Sequence, residues 1–248
     1  MSEQLSLFGG TQKQEMKEPR KQGEKKPITK AHCLFEQSGT FKSQFKALGI
    51  EAEDYDILDD FGETDHIVDL FAEIEAAYER ERETIFDKMG EGDLIFAFFP
   101  CVRFEAQIIM GFRGDMSQQK NDSERKKLEY CLKLHKELHH NYELVTKLCI
   151  ICIDRGIRLI IENPYTQQHY LTRYWCLKPK VIDHNRRDRG DIYEKPTQYW
   201  FVNFDPSDNF IFEPIKYYPM QRVLDKGTVD RSMITKEYAN RFIREFIL

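Results

Sequence analysis

The run Asp93-Leu94-Ile95-Phe96-Ala97-Phe98-Phe99-Pro100-Cys101 constrains the chain most. An apolar segment of strand length ends abruptly in a proline and a free thiol. A second such segment, Arg158-Leu159-Ile160-Ile161, ends in Glu162-Asn163-Pro164. In open α/β sheets ligands bind at the carboxyl ends of parallel strands. Two strands that deliver Cys101 and Glu162 there pair a nucleophile with a proton-handling group on one rim.

The rest of the chain alternates strand and helix patterns. A strand to about Phe35 is followed by a turn at 36–40 and a helix through Leu48, whose Phe41, Phe45 and Leu48 form one buried stripe. Gly49 suits a left-handed helix end. A strand near Glu51–Ile57, a helix to about Tyr78 and the strand Leu94–Phe98 come next. Residues 102–122, with Gly111 and Gly114, read as an irregular, mobile active-site loop. A long helix from about Ser123 to Arg155 is broken by Gly156. Strands near Lys180–Ile182 and Gln198–Phe204 and a closing helix over Arg231–Leu248 complete the pattern. Such alternation predicts an α/β fold: a mostly parallel sheet with helices on both faces. Residues 1–30, almost without apolar positions from 9 onward, are expected to be a disordered leader to one domain over 31–248.

Composition narrows the class. At 248 residues and 41% hydrophobic content the chain can build one sizeable core, and its net charge of −5 argues against a uniformly basic nucleic-acid coat. Local basic clusters remain, among them His184-Asn185-Arg186-Arg187-Asp188-Arg189. No membrane-length apolar run and no signal-peptide plan is visible, so a cytoplasmic protein with free thiols is expected. Cys149 and Cys152 lie within an apolar run and read as helix packing. His135, His139 and His140 lack the glutamate placement of a zincin helix, so no metal is expected.

The order of motifs resembles the cytosine carbon-5 DNA methyltransferases, which use S-adenosylmethionine (AdoMet) as methyl donor. Leu34-Phe35-Glu36-Gln37-Ser38-Gly39-Thr40-Phe41 stands where that family has its glycine-rich turn, Pro100-Cys101 matches its Pro-Cys, and Glu162-Asn163-Pro164 its Glu-Asn-Val. The resemblance implies a class I methyltransferase-like, Rossmann-like fold. It also implies cofactor contacts from Phe35, Ser38, Gly39, Thr40, Phe41 and Pro100, with Asp56 on the ribose and Asp69 near the adenine. Cys101 would add to carbon 6 of a flipped-out cytosine while Glu162 bonds ring nitrogen 3. Arg186, Arg187 or Arg189 would stand in place of the family's Gln-x-Arg-x-Arg element, with Arg187 and Arg189 taken as its catalytic arginines. Gln37 and Thr40 replace usual glycines, Val102 replaces a glutamine, and the stretch after the arginine cluster is too short for an ordinary target-recognition domain.

Gln4-Leu5-Ser6-Leu7-Phe8 is similar to the pentapeptide by which bacterial proteins bind the DNA sliding clamp. Leu5, Leu7 and Phe8 would serve as apolar anchors and Gln4 as a rim hydrogen bond, on a leader acting as tether. DNA and the clamp are thus the expected partners, in a bacterial or phage setting. Two alternatives stand beside this reading. One is a binding module that kept the fold and lost turnover. The other is an amino-methylating enzyme, because Asn163-Pro164-Tyr165 superficially matches that class's motif.

Overall fold

A computed structural model describes residues 27–220 and 232–248; the Gln4–Phe8 motif and Arg231 lie outside the described residues. Seven strands form one sheet: β1 (Lys30–Leu34), β2 (Glu51–Asp56), β3 (His66–Ile67), β4 (Leu94–Ala97), β5 (Arg158–Pro164), β6 (Val181–Asp183) and β7 (Thr197–Val202). Their order is β3-β2-β1-β4-β5-β7-β6. Every pairing is parallel except those of β7, which runs antiparallel to both β5 and β6. The fold is therefore class I methyltransferase-like: a mostly parallel, Rossmann-like sheet with one reversed strand.

Alternation along β4 divides the core. Leu94 and Phe96 face one layer with Phe41 and Phe45 of helix α1 (Thr40–Ala47) and Tyr238 and Phe242 of the C-terminal helix. Ile95 and Ala97 face the other, with Leu70 and Ile74 of α2 (Leu70–Glu79) and Leu144, Val145 and Leu148 of the long helix. Because both faces are covered, the central strands carry apolar residues at nearly every position. No described helix is long and apolar enough to cross a membrane.

Three sequence expectations change. Residues 102–122 are not an irregular loop: they contain α3 (Ile108–Arg113) and a 3-10 turn at Ser117–Gln119. Gly111 sits so close to the long helix α4 (Glu124–Arg155) that a Cβ there would lie 2.7 Å from Leu134 Cδ1. That glycine marks close packing rather than flexibility. β5 continues through Glu162 and Asn163 to Pro164 because β7 supplies partners at Tyr199, Gln198 and Thr197. The closing helix is shorter than expected. After α5 (Tyr170–Tyr174), α6 spans Lys236–Phe242 and passes into a π-turn at Ile243–Ile247.

Candidate active site

The sheet order reverses between β1 and β4, and a cavity of about 640 Å³ opens beyond their carboxyl ends, where α/β sheets place ligands. The β1–α1 turn contributes Phe35, Glu36, Gln37, Ser38 and Thr40. The end of β4 contributes Phe98 to Val102, β5 contributes Glu162 and Pro164, and Arg186 and Lys195 come from the β6–β7 connection.

The β1–α1 turn is strained and then pinned. Phe35 has φ 60°, a left-handed conformation that costs a non-glycine residue about 1–2 kcal/mol. Its N–H donates to the Tyr55 carbonyl at 2.8 Å, and its ring packs on Phe71 and Phe99. Gly39, also at φ 60°, precedes α1. The buried Glu36 carboxylate takes up the first amides of that helix, accepting from Phe41 N at 2.7 Å and Lys42 N at 3.2 Å. Burial outweighs those bonds and raises its pKa to about 7. Gln37 Oε1 is buried in the cavity wall without a hydrogen-bond partner.

At the end of β4 the chain turns sharply. Cys101 carbonyl accepts from Phe104 N at 2.7 Å and Glu105 N at 3.2 Å, and this turn brings the Glu105 side chain back over the thiol. Cys101 Sγ donates to Glu105 Oε1 at 3.2 Å. Burial, then the Glu105 charge, push the thiol up to about 12, with Lys195 opposing and Glu162 adding to the shift. Asn163, wholly buried, donates from Nδ2 to the Phe99 carbonyl at 2.8 Å and so ties the Pro100-Cys101 corner to β5.

Glu162 is 9% exposed, and among the described residues its carboxyl group has neither a hydrogen bond nor an ion pair. Burial raises its pKa, against the opposing charges of Lys195 and Arg186. Burial of this kind favours the neutral carboxyl, the form that can donate a proton. Arg186 is fully buried and ion-paired with Asp191, and its Nη2 donates to the Met233 carbonyl at 3.1 Å.

The residues singled out from sequence therefore divide. Cys101, Glu162, Pro100, Phe35, Ser38 and Thr40 share the cavity wall. Gly39 stands in the turn behind it, and Phe41 is core. Asp56 does not line the cavity: its carboxylate accepts from Leu58 N at 2.8 Å, and Asp60 and Phe61 stand at the wall instead. Asp69 caps α2, accepting from Phe71 N and Ala72 N. Arg187 and Arg189 are also outside the lining. Arg187 reaches the Ile192 carbonyl at 3.4 Å, whereas Arg189 makes two 2.8 Å bonds to Glu245 and a 3.0 Å ion pair with Asp183. The 3-10 turn Arg186–Arg189 points only its first arginine inward. Four charged groups of the wall were not singled out from the sequence: Glu36, Asp60, Glu105 and Lys195. Of these, Glu105 had a local signal, since it follows Cys101 by one helical turn.

The His135 ring packs at a tilt against Phe112, and the His139 and His140 rings lie beside Glu143 and Glu75. Cys149 and Cys152 are buried core thiols. No protein-family model matches the sequence, and no curated protein matches it.

Proposed function

We propose that this protein is an AdoMet-dependent DNA methyltransferase acting on carbon 5 of cytosine. One observation carries the reading: Cys101 and the unpartnered, buried Glu162 face the same cavity at the switch point of the sheet. A thiol opposite a buried carboxyl whose pKa is raised suits a planar ring that must be attacked at one carbon while a ring nitrogen gains a proton.

The wall has groups that fit AdoMet. Asp60 offers a carboxylate to ribose hydroxyls, Phe35 and Phe61 offer rings to the adenine, and Ser38, Thr40 and the unpartnered Gln37 Oε1 offer polar atoms to the amino-acid end. When bound, AdoMet supplies an electrophilic methyl group. The chain's own part is to make carbon 5 electron-rich. The Cys101 S–H bond breaks, its proton passing to a base in the cavity, as the sulfur bonds to carbon 6; Glu162 gives its proton to ring nitrogen 3, and the former double-bond pair is shared toward carbon 5. Arg186 and Lys195 provide positive charge that offsets the resulting Glu162 carboxylate. A cytosine reaches such a cavity only when swung out of the duplex. The Gln4–Phe8 motif, on its leader, would hold the enzyme to the sliding clamp and raise its concentration on DNA.

Incubation with tritiated AdoMet and duplex DNA should place label on cytosine. Cys101→Ser should abolish it, and label on adenine or on no base would refute the assignment. A second reading, binding without turnover, is favoured by the thiol's resting pKa of about 12. Under that reading Cys101→Ser leaves DNA binding unchanged and no methyl is ever transferred. The amino-methylating alternative gains nothing from Asn163, which does not line the cavity and whose Nδ2 is held by the Phe99 carbonyl.

A further inference from the structure

Glu105 has a position that the reaction outlined above does not use. It lies one turn beyond Cys101, lines the same cavity and accepts the thiol hydrogen at 3.2 Å. A side chain placed only for packing would not need a carboxylate on the reacting sulfur. The cysteine does not stand alone, because the nine-tenths-buried, unpartnered Glu162 faces the same space.

We propose that Glu105 is the proton acceptor for Cys101, holding the thiol inert at rest and taking its proton only when a pyrimidine is in place. This rests on the methyl-transfer reading and names a further catalytic group within it. The step balances. The S–H bond breaks and its proton goes to the Glu105 carboxylate. The S–C6 bond forms, the C5=C6 pair moves into the ring, and the Glu162 proton goes to nitrogen 3. Once carbon 5 carries the methyl group, its C5–H bond breaks and that proton leaves to water in the open cavity. The C5=C6 bond re-forms as the C6–S bond breaks, nitrogen 3 returns its proton to Glu162, and Glu105 returns the thiol proton to the leaving thiolate.

The groups facing the thiol explain why a local base is required. Glu105 from its own turn and Glu162 from β5 both disfavour the thiolate, and Lys195 from the β6–β7 connection is the opposing charge. A free thiolate at rest is therefore suppressed, unlike in enzymes that activate cysteine by surrounding it with positive charge. Proton transfer during attack removes that handicap at the moment it matters.

Glu105→Gln separates the two roles, because the amide still accepts the thiol hydrogen bond but neither carries charge nor takes a proton. Two readouts on the full chain should move in opposite directions. Iodoacetamide labelling of Cys101 at pH 8, followed by peptide mass spectrometry, should become about tenfold faster, as expected for losing one adjacent like charge. Methyl transfer to duplex DNA should fall about 100-fold or more. Glu105→Asp, which keeps the charge, should label at the wild-type rate. Unchanged labelling of Glu105→Gln overturns the inference, as does wild-type transfer by that variant. A decline in both readouts with a lowered melting temperature would make Glu105 structural and also overturn it. Absence of transfer by the wild type instead overturns the methyltransferase reading, and the inference with it. The labelling contrast still tells the two failures apart.

Discussion

Glu36 makes the stability of the site turn depend on pH in a direction opposite to that of most carboxylates. Its ordinary value is 4.5, and burial raises it to about 7 even though two backbone amides favour the charged form. Because the folded value is the higher one, its contribution is fully present below pH 4.5 and is lost as pH rises through 7. At 1.36 kcal/mol per unit of pKa, the loss across that window is about 3 kcal/mol. Glu36→Gln removes the titration while keeping an oxygen for one of the two amides. The variant should thus match or trail the wild type at pH 4.5, gain on it up to about pH 7, and gain little more above that. In a chain of this size the relative change corresponds to roughly 6–12 °C in melting temperature. Paired thermal or urea melts of both proteins at several pH values cancel every other titrating group. A stability difference that stays flat with pH, or a wild type that gains on the variant, would refute the claim that burial dominates at this carboxyl.

Other consequences are equally specific. Gly111→Ala should cost about 1–3 kcal/mol in urea denaturation, because the added methyl falls 2.7 Å from Leu134 Cδ1; a neutral effect would return residues 102–122 to the status of a loose loop. Arg186→Ala leaves the buried Asp191 without its cation and should destabilise by about 3–5 kcal/mol, measured by the same method, with a much smaller loss for Arg187→Ala. Asn163→Ala removes the tie to the Phe99 carbonyl and should cost about 1–3 kcal/mol and loosen the Pro100-Cys101 corner. Faster hydrogen exchange at residues 99–101 would report that loosening, and exchange unchanged from wild type would contradict it.

How much of this was legible in the sequence follows from which forces set each feature. Leu94–Ala97 and Leu159–Ile161 announce themselves because a central parallel strand must be apolar on both sides. The residues just beyond such runs, Cys101 and Glu162, come to one rim by topology alone. Phe41 and Phe45 betray α1 by spacing, and Gly49 and Gly156 mark helix ends by taking left-handed φ values of 80° and 67°. What stayed hidden depends on partners distant in sequence. Nothing local tells which of three neighbouring arginines turns inward; Asp191 captures Arg186, while Asp183 and Glu245 hold Arg189 outside. Asp56 ends the second strand as expected, yet its carboxylate is taken by the following turn, and Asp60 reaches the wall. Gly111 read as a breaker because a glycine needed for close approach and one needed for freedom look the same in sequence.

The account's central claim is that Cys101 and Glu162 act on one heterocycle, and a mechanism-based trap tests it most directly. Duplex DNA carrying 5-fluorocytosine can accept sulfur at carbon 6 and methyl at carbon 5, but it cannot lose fluorine as a cation, so the adduct persists. With AdoMet present, intact-protein and peptide mass spectrometry should find the DNA attached at Cys101, absent in Cys101→Ser and strongly reduced in Glu162→Gln. No adduct at all, or one that forms equally well in both variants, would contradict the account.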